Sequence, residues 1–269
     1  MVGDKKLRLR LIFYIALTAG ILIVAFFGEK LSPYDPYKTD FYAIDQPPSL
    51  AHLCGTDNLG RDLLSRVMTG ANSSLTAMLV IVAATAVIGT ALGVAAGYYG
   101  GFLDVVIQRV LLIVQSFPGQ VMALAVAGVL GAGLKNAMLA LISIKWITYA
   151  RMARSSILKI KSSGYIKAAR LCGCGSGAII VRHVLPNIWK VVFVTVMTAL
   201  PGALIELSGL SFLGLSSQPP YPEWGYMMAE GRKVLMTQPW QALVPGLAIL
   251  LTVIVLNRLG DTVEDCIGD

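Results

Sequence analysis

SSGYIKAARLCGCGSGAIIVRHVLPN, residues 162–187, is a basic, glycine-punctuated, half-polar island between two long apolar runs. Ser162 and Ser163 are residue types that cap a helix start, and Tyr165 to Arg170 supply its first turns. Gly173, Gly175 and Gly177 are placed to end it, since glycine takes the left-handed conformation of a helix stop at little cost. The expectation is a short helix followed by a sharp turn. Ala168 and Ala169 present almost no side chain, so another surface can approach the backbone there, with Lys167 and Arg170 supplying charge around the contact. On the cytoplasmic side of a membrane protein, such a knob is where a soluble partner can push.

The flanking runs decide the class. The 269 residues are 56% hydrophobic and 14% charged, against about 25% charged in a soluble domain. The chain reads as a polytopic, all-α membrane protein. Its net charge of +7 sits next to apolar runs instead of forming a basic stripe with interleaved aromatics, so it marks membrane orientation and not nucleic-acid binding. Cys54, Cys172, Cys174 and Cys266 fall on both sides of the membrane and suggest no disulfide framework. A bare Cys172-Gly-Cys174 lacks a second ligand pair, so no metal site is expected.

Four segments follow from the punctuation. Residues 1–31 hold a tail with Lys5, Lys6, Arg8 and Arg10 and the uncharged run Leu11 to Phe27; no small-residue cleavage site follows, so it reads as a retained span. Residues 32–72 are polar and proline-rich and lie outside; here Asp57, Arg61, Asp62 and Arg66 can pair in a compact turn, either as a lip over an entrance or as a self-satisfied loop. Residues 73–260 hold five more spans and a cytoplasmic loop at 151–187, and 261–269 form a cytoplasmic tail.

Within 73–260, Gly89, Gly93 and Gly97 recur every fourth residue, which makes one face of a span a close-packing surface. A helix from about Leu103 to Leu130 carries Gln115, Ser116, Pro118 and Gln120 near its middle, polar groups that either line a path or bond to neighbouring helices. Lys145 lies near the inner end of the next span and is expected to snorkel. Glu206 is an ionisable group at membrane depth, a functional candidate by default. Trp224 and Trp240 suit an interfacial belt. Six spans with both termini cytoplasmic put every basic cluster inside.

The central stretch resembles the loop of ABC-importer transmembrane subunits: Glu-Ala-Ala, three residues, Gly, about nine residues, then a hydrophobic residue, any residue and Leu-Pro. Ala168, Ala169, Gly173, Leu185 and Pro186 match it, while Lys167 stands where the family has Glu and His183 where Ile is usual. Gly55-Thr-Asp-Asn-Leu-Gly-Arg-Asp62 with Ser65-Arg66 resembles the signature of the dipeptide, oligopeptide and nickel branch. Three further strings are similar to that family: the run from Glu206 to Leu215, the loop with Trp224-Gly225, and the ending Asn257 to Asp265.

The resemblance implies a type I importer fold with six spans and a cytoplasmic coupling helix, in a bacterial cell membrane. Lys167, Ala168, Ala169, Gly173, His183, Leu185 and Pro186 would meet the ATPase; Gln115, Ser116, Gln120 and Glu206 are path candidates; Asp57, Arg61, Asp62, Arg66 and Trp224 would form the outer lip. Implied partners are a second homologous permease, two cytoplasmic ATPases that use ATP and Mg, and an external solute-binding protein, with no cofactor in this chain. Val129 to Asn136, running on to Trp146 and Tyr149 to Met152, and Thr237 to Pro239 with Pro245 to Leu247 resemble nickel permeases, which favours nickel, free or chelated, over short peptides. A membrane-embedded enzyme is disfavoured, since His52 and His183 are the only histidines, Glu206 is the only carboxylate expected at depth and no H-E-x-x-H occurs. No phosphate-cradling glycine loop occurs either, so the energy for uphill transport is expected from another polypeptide. An assembly protein would explain the packing faces but not the docking motif.

Overall fold

The computed structural model describes residues 2–268, with side chains over 6–267. Its elements are helical: α1 (Val2–Leu31), α2 (Leu63–Tyr99), α3 (Gly101–Gln115), α4 (Gly119–Leu130), α5 (Leu134–Lys161), α6 (Gly164–Leu171), α7 (Ser176–Ile179), a π-helical turn (Ile180–Val184), α8 (Leu185–Phe212), α9 (Trp224–Arg232) and α10 (Trp240–Gly268). The main core joins Leu75, Met78 and Ile81 of α2 to Leu141 of α5, Leu204 and Leu207 of α8, and Leu256 of α10.

α2 and α5 are locked by the glycine ladder. A β-carbon on Gly89 would collide with the carbonyl of Trp146, on Gly93 with that of Ala150, and on Gly97 it would lie 3.1 Å from that of Arg154. Both series rise together by four residues per step, so α2 and α5 run parallel with backbones in direct contact. Two parallel spans need a return segment between them, and α3 with α4 supplies it.

That return segment differs from the single helix expected over Leu103 to Leu130. α3 and α4 meet at 90°. Pro118 has no N–H to continue the ladder, and it steers Phe117 away from helical geometry. Ser116 closes α3 by donating its hydroxyl to the Ile113 carbonyl at 2.6 Å.

Among the described residues four helices are long and apolar enough to cross a membrane, Lys6–Leu31, Leu63–Tyr99, Ser176–Phe212 and Trp240–Ile267, and up to five if the bent pair is one span. α5, the remaining expected span, falls short on composition because it carries Lys145, Arg151 and Arg154. Two of those charges are answered within the fold: Arg154 forms a two-pronged pair with Asp104 of α3 at 2.6 Å, and Lys145 pairs with Glu206. The first span after the outer segment starts at Leu63, and the 151–187 loop begins inside α5.

Between α7 and α8 the helix widens into a π-turn, where Leu185 N–H reaches back to the Ile180 carbonyl. Pro186 follows at once, and the wider turn makes room for a ring that would otherwise crowd the carbonyl four residues back. Asn187 returns a bond to the His183 carbonyl at 2.5 Å.

Candidate functional site

The stretch expected to form the docking knob is α6. Of its eight residues only Ile166 is buried, and it inserts among Val94 and Tyr98 of α2, Ala153 and Ile157 of α5, and Ile179, Val184 and Ile188 beyond. Full burial of an isoleucine stabilises by about 1.5–3 kcal/mol; one side chain therefore pins the helix to three others. Arg170 lies over the Tyr98 ring at 5.3 Å, and Lys161 Nζ donates to the Tyr98 carbonyl at 2.6 Å. Tyr165, Lys167, Ala168 and Leu171 stay exposed, and Ala169 is half-buried.

The stop at Gly173 is a paired hydrogen-bond motif. With φ at +80°, Gly173 N–H donates to the Arg170 carbonyl and Cys174 N–H to that of Ala169, both at 3.0 Å, the two bonds of a glycine-terminated helix. Gly175 and Gly177 take no part in that stop: Gly175 has φ −65° and precedes α7, and Gly177 lies within it. Ser162 and Ser163 also differ from expectation. Their hydroxyls donate backwards, to the carbonyls of Lys159 at 2.9 Å and Ile160 at 2.5 Å, so they close α5 and do not cap α6.

The second half of the motif folds back onto the first. Asn187 Nδ2 donates to Tyr165 Oη at 3.2 Å, and the His183 ring lies 6.3 Å from the Tyr165 ring. Leu185 and Pro186 are exposed beside them. The packing roles of Ile166, Tyr98 and Tyr165 escaped sequence reasoning; an isoleucine two residues ahead of the Ala-Ala pair was the available signal.

At membrane depth, Lys145 Nζ donates to Glu206 Oε1 at 2.5 Å, joining α5 to α8. Lys145 therefore does not snorkel. The pair keeps 35% and 21% of its side-chain surfaces exposed, into two cavities that share Glu206. One, of about 330 Å³, holds Gln120; the other, of about 340 Å³, holds Gln115, Thr148 and Arg151. Ser116 lines neither, its hydroxyl being spent on Ile113. Three of the four expected path residues thus converge on one place.

In the segment before α2, the charged turn satisfies itself. Asp57 accepts from the N–H groups of Leu59 and Arg61, pairs with Arg61 Nε at 2.7 Å and lies 3.4 Å from Arg66 Nε. Asp62 caps α2, accepting from Ser65 N–H at 2.8 Å and Ser65 Oγ at 2.7 Å, and lies 2.9 Å from His52 Nδ1. The cavity beside Asp57, Arg61 and Arg66 measures only about 20 Å³, room for roughly one water. Of the two readings of this turn, the geometry favours the self-satisfied loop over an open lip. Trp224 is no belt residue either: it is 3% exposed and donates Nε1–H to the Val67 carbonyl at 2.8 Å. Among the described residues no group of three or more His, Cys, Asp or Glu stands close enough to hold a metal ion.

Residues 89–267 match the family described as binding-protein-dependent transport system inner membrane component. The chain is 39% identical over 260 residues to the glutathione transport system permease protein GsiD of Escherichia coli, covering 94% of this chain and 86% of that one. It is 37% identical to the GsiD protein of Pectobacterium atrosepticum with the same coverage, and 35% identical over 263 residues to the dipeptide transport system permease protein DppC of Alkalihalophilus pseudofirmus, covering 98% and 86%. The chain belongs to this family of inner membrane components. It is a permease subunit of an ABC importer that works with a binding protein, and its relatives are transport subunits, not enzymes.

Proposed function

We propose that this chain forms half of the path by which short peptides cross a bacterial inner membrane. One observation carries the reading: 35–39% identity across nearly the whole chain to permeases named for a dipeptide and for glutathione, itself a tripeptide. Those relatives support peptides over nickel, the solute that residues 129–152 and 237–247 favoured.

A second homologous permease supplies the other half of the path, and both termini lie in the cytoplasm, where Arg151, Arg154, Lys159 and Lys161 also belong by the positive-inside rule. ATPase subunits, which bind ATP and Mg, dock on α6 through Ala168, Ala169 and the rim of Lys167 and Arg170. Lys167 replaces the family's acidic residue, so its contact on the ATPase is with an acidic or neutral group. Closure of the ATPases moves α6, and Ile166 passes that movement to α2, α5 and α8 together. The outer turn at 55–66 is scaffold for the binding-protein side. The test is deletion of the subunit, followed by uptake of a labelled dipeptide, glutathione and radioactive nickel. Loss of peptide uptake with nickel intact is expected; loss of nickel uptake alone would overturn the reading.

A further inference from the structure

Glu206 is the carboxylate common to two cavities of about 330 and 340 Å³, each within the roughly 300–1,000 Å³ of small-molecule sites. The first is apolar apart from Gln120 and Glu206; the second holds both cations, Lys145 and Arg151. Among the described residues, Arg151 has no ion-pair partner. The site therefore has a carboxylate at one end, a matched lysine on it, and a surplus cation beyond.

The spacing has a length. Arg151 follows Lys145 by six residues on α5, about 9 Å along a helix axis. A chain of two or three residues in extended form spans about 7–10 Å. The cavity thus leads from Lys145 within the span to Arg151 at its cytoplasmic end; a charge inside it is costly unless it is paired or solvated, so a zwitterionic solute leaves most easily where each end finds an opposite charge.

Resting on the peptide reading above, we propose that the Lys145–Glu206 pair opens to admit a short peptide by exchange of partners. The peptide's N-terminal ammonium takes the place of Lys145 on Glu206. Its C-terminal carboxylate settles between the released lysine and Arg151. One ion pair becomes two, Arg151 gains a partner, and no charge is left alone. Side chains of the peptide lie against Val114, Phe117, Ile144 and Ile147 of the cavity that holds Lys145, Arg151 and Glu206, an apolar lining that sets no strict preference among them.

The test uses the complete importer in nanodiscs without its binding protein, so that the permease alone chooses. Binding of a labelled tripeptide is compared with that of its N-acetylated and C-amidated forms. Wild type is expected to hold the free peptide at least about tenfold more tightly than either blocked form, a difference of about 1.4 kcal/mol. Arg151→Gln, at an exposed position that leaves folding intact, should narrow the preference for free over amidated peptide to about threefold or less, since the released Lys145 alone then faces the carboxylate, while leaving the preference over acetylated peptide in place. Lys145→Met with Glu206→Gln, which removes both charges together, should bind free and acetylated peptide alike. Wild-type binding indifferent to blocked ends, absence of saturable binding, or variants that weaken all three forms equally would overturn the exchange. Transport of the tripeptide by the wild-type complex once the binding protein is added back reports separately on the peptide reading, which falls if none occurs.

Discussion

Ser74 on α2 and Glu223 at the head of α9 stand 149 residues apart in the chain and meet in a hydrogen bond of 3.1 Å. Glu223 is fully buried, and its two oxygens also accept from the N–H groups of Gly225 at 3.0 Å and Tyr226 at 2.9 Å. Ser74 Oγ in turn accepts from Trp224 N–H at 3.1 Å. The carboxylate caps α9 and fastens it to α2 at the same time.

Removing that carboxylate strands several buried donors. Hydrogen bonds to charged groups are worth about 1.5–3 kcal/mol each, so Glu223→Ala should destabilise the protein by about 2–4 kcal/mol. The expected outcome is a clear drop in thermal midpoint of the detergent-purified protein, with Glu230→Ala, at a more exposed position of α9, changing little. Equal midpoints for the two variants would show that the buried network is not what holds α9.

Gly93 tests the α2–α5 contact, because its β-carbon would meet the Cα of Ala150 as well as its carbonyl oxygen. Backbone cannot swing aside as a side chain does. Gly93→Val should lower the yield of folded protein severely, whereas Gly128→Ala on α4, with open space around it, should gain up to about 1 kcal/mol from helix propensity. Folded yield by fluorescence-detected chromatography reads both.

Ala169→Glu and Gly173→Asp address coupling. Gly173 sits at φ +80°, where a side chain is strained, and a carboxylate at either position projects into the docking surface. Each variant should reach the membrane and assemble, yet lose solute-stimulated ATP hydrolysis and uptake in the reconstituted importer. Ala168→Glu, at a more exposed position, should do the same without disturbing the core beneath. Unchanged stimulation would remove α6 from the coupling role.

Cys54 tests the topology and carries a pH signature. Burial, and then the Asp62 carboxylate, push its thiol above the usual range, so less thiolate is present at neutral pH. A membrane-impermeant thiol reagent should label Cys54 in intact cells slowly near pH 7. The rate should rise about tenfold per unit until the raised pKa is passed, because only the thiolate reacts. Cys172, Cys174 and Cys266 should stay unlabelled until the membrane is opened. Labelling of Cys172 from outside would reverse the orientation.

The membrane class, the position of the short helix α6 and its stop at Gly173 were all legible in the chain itself, because each rests on local facts. Apolar runs of sufficient length have one stable home, a helix stop needs a left-handed residue at one place, and glycines every fourth residue share one helix face whatever they touch. The break at Phe117-Pro118 was half legible: proline announced a disturbance but not its 90° angle, which depends on what α4 packs against. Pairings between distant positions were decided only by the tertiary structure. Lys145 found Glu206 across 61 residues, Trp224 went inside although its sequence neighbourhood suggested an interface, and the charged outer turn consumed its own charges. Such outcomes turn on which helices become neighbours and at what register, and a charge at depth takes whichever opposite charge the packing brings within reach.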